Sequence, residues 1–340
     1  MAKQLDFVIF GVPRSGTKAL VRALNLHPHV YCAMERFHFR ADHAQITFPE
    51  SFLDTSAIRD ADDLAKVEYM REELADKREV RYAGNKLPRY YFALDRINRE
   101  VPKLKNIWIY RSPYGFMPSW NRRELDKERG QWPAGQVGLF GLIELLVCIE
   151  NCLKLGKDVF VFSYAHGLAR SAEATLEALD FLGADPKLHD QRSFDKKQRL
   201  RGRRQQRRSV AGSHSLPLQE HEEELLDALK IRELDQIMEQ GRGLIVSEIA
   251  RSLGDFLARS AEVLPDALDR AFAASDNHAV ASFGRDYVQR NRTELAGMIR
   301  LAQGSKALAR FQRFGPYERL KSVYVQRWAL RRRLVSHQAD

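Results

Sequence analysis

The stretch from Leu5 to Leu24 constrains this chain more than any other. Phe7-Val8-Ile9-Phe10 is an unbroken apolar run, the mark of a strand buried on both faces of a parallel sheet. Gly11-Val12-Pro13-Arg14-Ser15-Gly16 then makes a tight turn, and Ala19, Leu20, Ala23 and Leu24 recur at helical spacing. Strand, short loop and helix together aim several backbone N–H groups at one point, where the helix dipole adds partial positive charge. Arg14 and Lys18 add whole charges. Such a turn suits a phosphate or sulfate group. The same residues also fit a plain strand-to-helix turn carrying solvated charges.

The nucleoside-triphosphate loop has the form G-x-x-x-x-G-K-[ST]. Gly11 and Gly16 have that spacing, but Thr17 and Lys18 stand in swapped order. The lysine and the Mg²⁺-binding hydroxyl are both misplaced, which argues against an ATP loop. The 340 residues carry a net charge of +10 and are 44% apolar, so the chain folds as a globule and suits a polyanionic ligand. Nucleic acid and an anionic membrane suit that charge equally. The opening MAKQLDF lacks a signal-peptide core. The longest apolar candidate, Leu139 to Ile149, is broken by Glu144 and falls short of the ~20 residues of a membrane span. Three cysteines, an odd number, suit reduced thiols and a cytoplasmic protein. Cys148 and Cys152 read as core residues on a helix, and no His or Cys cluster completes a metal set.

Further strands are predicted at Val30–Cys32, Val80–Gly84, Leu104–Tyr110 and Asp158–Tyr164. Helical patterns over Asp60–Lys77, Gln136–Lys157, Arg170–Leu182 and Pro217–Gln240 fall between and after them. The alternation implies an α/β fold, a mostly parallel sheet flanked by helices joined by right-handed crossovers. Open sheets of this class bind ligands beyond the carboxyl ends of their strands. Glu35, Lys86 and Arg111 each stand at or just past such an end. A carboxylate there could remove a proton from an acceptor hydroxyl, although Glu35 could instead pair with its neighbour Arg36. His38 and His43 are alternative bases. Asp42–Ser56 reads as an irregular loop able to touch an acceptor.

Pro13-Arg14-Ser15-Gly16-Thr17 resembles the 5′-phosphosulfate loop of sulfotransferases that use 3′-phosphoadenosine 5′-phosphosulfate (PAPS). A second signature of that family, an Arg at a strand end with a Ser eight residues on, matches Arg111 and Ser119. The resemblance spans about residues 5 to 220 and in motif is nearest the tyrosylprotein-sulfotransferase-like branch, including bacterial members. It implies a P-loop-like sheet, PAPS as co-substrate and no metal. It implies that Glu35 is the general base, with Arg14 and Lys86 stabilising the transferring group. Ser15, Gly16, Thr17 and Lys18 would cradle the 5′ end of the nucleotide with Arg14. Arg111, Ser119 and Arg123 would hold its 3′-phosphate, and Tyr164 would approach it. Ala165 and His166 replace the family's acidic pair after that tyrosine, which leaves the contacts of those carboxylates without a counterpart. The acceptor would be a hydroxyl on a saccharide, a lipid-linked group or a tyrosyl residue. Two rival readings remain: a P-loop kinase using ATP-Mg, and a non-catalytic basic module docking on nucleic acid or membrane.

The resemblance fades beyond Gly243. The expected division is an α/β domain over 1–240 and an all-helical extension over 241–340, with Asp266–Asn277 as a turn-rich interruption. The basic run Lys196–Arg208 reads as an arm that could cover the nucleotide. It has no interleaved aromatics for stacking bases, so no nucleic-acid partner is expected. Leu320, Val323, Tyr324, Trp328 and Leu334, with Arg327 and Arg331 to Arg333, form a basic amphipathic stripe. It could rest on an anionic membrane, on its own chain or on a second copy in a homodimer.

Overall fold

A computed structural model describes residues 3–56, 61–77, 79–125, 138–167, 173–196, 217–239 and 243–274. In chain order the strands and helices are β1 (Lys3–Gln4), β2 (Phe7–Phe10), α1 (Thr17–Leu24), β3 (Val30–Met34), β4 (Thr47–Phe48), α2 (Glu50–Leu53), α3 (Ala61–Ala75) and β5 (Tyr82–Lys86). A 3₁₀ turn at Pro88–Ala93 leads to α4 (Leu94–Glu100), β6 (Lys105–Tyr110), α5 (Pro113–Leu125), α6 (Gly138–Lys154), β7 (Val159–Ser163), α7 (Tyr164–Gly167) and α8 (Glu173–Leu182). The last described elements are α9 (Glu220–Ala228), α10 (Ile231–Met238), β8 (Leu244–Ile245) and α11 (Val246–Ala273). The chain divides into two interleaved units, one of residues 1–112, 151–214 and 236–249, the other of 113–150, 215–235 and 250–340.

The first unit is organised by β2, whose four residues are wholly buried. It is hydrogen-bonded in parallel to β5 on one side and β6 on the other. The six-stranded sheet runs β3-β5-β2-β6-β7-β8, parallel except where β8 meets β7. Phe7, Ile9, Ile107, Ile109, Phe160 and Phe162 present one face to Leu20, Val21 and Leu24 of α1 and to Ala178, Leu179 and Leu182 of α8. Each such large side chain contributes roughly 1.5–3 kcal/mol when taken out of water. From β2 the chain moves outward to β3, returns to fill the slot with β5, then crosses β2 to β6. That reversal makes the carboxyl end of β2 a switch point, where the flanking connections diverge and leave room for a ligand.

Four segments differ from their sequence expectation. Residues 42–56 are not irregular: Lys3 and Gln4 pair with Phe48 and Thr47, and α2 buries Phe52 among Tyr31, Phe37 and Phe48. These elements are too short to leave a periodic trace. The single helix expected at 217–240 is two, broken where Lys230 takes a left-handed φ of 52°. Leu244–Ile245 supplies a sixth strand where no strand pattern is visible. The interruption expected from Asp266 is helix as far as Ala273, with Pro265 inside it.

The second unit is helical in its described part. Asn121 donates to both carboxylate oxygens of buried Glu222 at 2.8 and 2.9 Å, and Tyr114 donates to Asp227. Gln219 and Glu222 cap the start of α9 reciprocally. Among the described residues no helix is long and apolar enough to cross a membrane. The basic run from residue 197 and the stripe at 320–334 lie outside the described residues.

Candidate functional site

The turn after β2 is pressed close to its neighbours. A Cβ on Gly11 would stand 2.4 Å from the Ile109 carbonyl oxygen of β6, so only glycine lets the loop leave the sheet there. Within the loop, both the N–H and the hydroxyl of Ser15 donate to the Val12 carbonyl, at 3.0 and 2.6 Å. Ser15 therefore spends its donors on the turn itself. Arg14 is exposed and left-handed, with φ 77°. Gly16 (φ 100°) begins α1 without a side-chain cap, and its carbonyl accepts from Ala19 and Leu20. The N–H groups of Thr17 and Lys18 open the helix and have no acceptor within it. Thr17 is buried and Lys18 exposed.

Arg111, just past β6, joins three turns. Its Nη1 donates to the Arg14 carbonyl at 2.9 Å, and its guanidinium lies 4.7 Å from the centre of the Tyr164 ring. That ring in turn fills the space where a Cβ on Gly16 would sit, 2.4 Å from the position of its Cδ2. The turns after β2, β6 and β7 thus meet around Tyr164.

At the carboxyl ends of β3 and β5, Glu35 and Lys86 form an ion pair and hydrogen bond through Oε1 and Nζ. Met34 and Lys86 are register partners, and the Glu35 N–H donates to the Lys86 carbonyl at 2.7 Å. Lys86 is the last strand residue rather than the first of the loop, and its side chain is fully buried, while that of Glu35 keeps 41% exposure. Burial pushes the Lys86 ammonium below its ordinary value, only partly offset by Glu35. Burial raises the Glu35 carboxyl, but the charge and hydrogen bond of Lys86, with Lys18 and Lys66 behind them, bring it net below its ordinary value. Glu35 is thereby held ionised. Its chain neighbour Arg36 is engaged elsewhere, donating to the carbonyls of Ser51, Phe52 and Asp54 at the end of α2.

The alternative bases are placed differently. His43 is wholly buried, with Nδ1 2.9 Å from the Ala41 carbonyl oxygen, and burial lowers its pKa. His38 is exposed and accepts from the Arg40 N–H. Cys32, Cys148 and Cys152 are buried thiols, and among the described residues no group of three or more His, Cys, Asp or Glu could hold a metal.

Residues 6–137 match a model of the Sulfotransferase family. That segment is similar to sulfotransferases. Arg14 to Lys18, Glu35, Lys86, Arg111, Ser119 and Arg123 all fall inside the matched segment, and Tyr164 lies beyond it. Among solved structures, the "Sulfotransferase Domain from the Curacin Biosynthetic Pathway" is 16% identical, over 55% of this chain and 77% of its own, with a TM-score of 0.38. The sulfotransferase from Alicyclobacillus acidocaldarius is 19% identical, over 54% and 82%, with a TM-score of 0.32. No curated protein matches the chain.

Within the matched segment, Ser119 and Arg123 lie on α5, in the second unit, where Ser119 is half-buried. The side chain of Arg123 lies outside the described residues. The sequence signatures include neither Asn85 nor Tyr90. Both are fully buried, and their polar atoms bind the chain just after Glu35. The available signal was the asparagine itself, an unfavoured residue inside a strand.

Proposed function

We propose that the chain transfers the sulfuryl group of PAPS to an acceptor hydroxyl, with Glu35 as general base. The observation that carries this reading is the meeting of Glu35 and Lys86 at adjacent strand ends, beside the switch point marked by the Arg14 turn. In the reaction, the acceptor oxygen attacks sulfur as its proton passes to a Glu35 carboxylate oxygen. The bond from sulfur to the bridging oxygen of the donor's 5′-phosphate breaks, and 3′-phosphoadenosine 5′-phosphate leaves with that electron pair. The Lys86 ammonium, Arg14 and the N–H groups of Gly16, Thr17 and Lys18 stabilise the negative charge spread over the sulfuryl and phosphate oxygens. Oriented positive charge of this kind is usually the largest catalytic contribution. Arg111 offers a planar fork for the 3′-phosphate, and Tyr164 an aromatic face beside it. The resemblance adds Ser119 and Arg123 to that grip. Ser15 shapes the turn. The acceptor is a saccharide, lipid-linked or tyrosyl hydroxyl.

The test is calorimetry with 3′-phosphoadenosine 5′-phosphate, ATP and RNA, each with and without Mg²⁺, followed by labelled PAPS against a panel of hydroxyl acceptors. The reading expects binding of the bisphosphate without Mg²⁺ and label transfer that Glu35→Gln abolishes while nucleotide affinity stays. ATP binding that needs Mg²⁺, or RNA binding indifferent to changes at Arg14, would replace it with a kinase or a basic docking module.

A further inference from the structure

We infer that Asn85 and Tyr90 are positioning residues that lock the peptide after Glu35 and so aim its carboxylate at Lys86 and the acceptor. The inference rests on the reading of Glu35 as the base. Asn85 is the penultimate residue of β5, in register with Ala33 of β3 and Val8 of β2, and it has no exposure to water. An amide at that depth is costly unless each of its polar atoms finds a partner. Here each does, and the chain that follows Glu35 supplies most of the partners. Asn85 Oδ1 accepts from the Arg36 N–H at 3.1 Å, and its Nδ2 donates to the Phe37 carbonyl at 3.1 Å and to the Tyr90 hydroxyl. Tyr90 closes the ring by donating to the same Phe37 carbonyl at 2.9 Å. Burial raises the phenol's pKa, so it remains a donor.

These bonds fall immediately after a residue the backbone disfavours. Glu35 has φ 60°, a left-handed conformation that L-residues other than glycine disfavour. It persists only where the surroundings over-determine it. On one side the Glu35 N–H is tied to the Lys86 carbonyl; on the other, Arg36 and Phe37 are tied to Asn85 and Tyr90. The chain must reverse between these two anchors, and the reversal sets the direction of the Glu35 side chain. A local strand preference is overridden where a functional group has to be aimed.

The experiment uses the full-length chain labelled with ¹³C at glutamate carboxyls, with Glu35→Gln to identify the Glu35 signal. Its titration is followed by NMR in the parent, Asn85→Ala and Tyr90→Phe. Tyr90→Phe keeps the ring in the core and removes only the hydroxyl, so it remains readable if Asn85→Ala fails to fold. The expected result is that the Glu35 midpoint rises toward the ordinary carboxyl value, further in Asn85→Ala than in Tyr90→Phe. Affinity for 3′-phosphoadenosine 5′-phosphate should stay within about two-fold, because the nucleotide turn is a separate element. A lowered melting temperature with an unmoved Glu35 titration in the folded variants overturns the inference, since stability alone would then be at stake. A parent chain that binds no bisphosphate overturns the proposed function instead, and leaves the titration result to judge the clamp.

Discussion

Lys86 is a charged side chain without contact to water, and its carboxylate partner stays partly exposed. That asymmetry determines what substitution does. Removing Glu35 strands a buried ammonium, whereas removing Lys86 leaves a carboxylate that water can still solvate. Methionine has nearly the volume of lysine and carries no charge. Lys86→Met is therefore expected to melt no lower than the parent, while transfer falls on the order of 10²-fold or more through loss of charge stabilisation. Thermal unfolding and turnover on one preparation read both effects. A marked drop in melting temperature would mean the ion pair holds the fold together rather than being tolerated within it.

Among the elements, the loop and the first turn of α1 depend on a single close approach. Gly16→Ala must place a methyl group inside the Tyr164 ring and also hold alanine at φ 100°. A loss of at least about 2 kcal/mol is expected from the clash and the backbone strain together. Adding Tyr164→Ala should return only the clash part, so the two changes will be non-additive in chemical denaturation. Full recovery would show that φ at Gly16 carries no strain; no recovery would mean the ring is not what the new methyl group meets. The same comparison explains which elements the sequence reveals. Parallel strands such as Phe7–Phe10 are apolar throughout, so they announce their own ends, and Glu35 and Arg111 were legible as strand-end residues for that reason, whereas Lys86 closes a strand, Tyr82–Lys86, that also holds glycine and asparagine. Leu244–Ile245 was not, because two apolar residues leading into a helix have no period of their own. The run of α11 through Pro265 was hidden for another reason: a proline forfeits one helix hydrogen bond, and here burial of Leu264, Ala267, Leu268, Ala271 and Phe272 outweighs it. Asn85 was missed because most of its partners are backbone atoms of another strand's exit, which no local pattern encodes.

At the scale of the whole molecule, three histidines link folding to acidity. Burial, in each case the largest cause, lowers the pKa of His27, His43 and His189 below the ordinary 6.5. Nearby positive charge adds to this, from Lys77 at His27 and from Arg96 at His43. The unfolded chain then binds these protons first. Stability contributed by the neutral rings is fully present above 6.5 and is lost as pH falls through the lower folded values. The melting temperature should hold level near pH 7 and decline between about pH 6.5 and 5; a midpoint unchanged down to pH 5 would contradict this.

The sheet's edge strand β8 has a consequence for how the protein is made. The ribosome finishes Tyr110 of β6 roughly 135 residues before Ile245, a wait of roughly 7–27 s at about 5–20 residues per second. Throughout that interval the nascent polypeptide carries the Arg14 turn on an unfinished sheet, and β7, once made, still waits for its last neighbour. Arrested chains exposing residues up to 240 should be cut by protease within the first hundred residues, and those exposing residues up to 274 should resist. Equal resistance would mean that the scaffold sets before its last strand is synthesised.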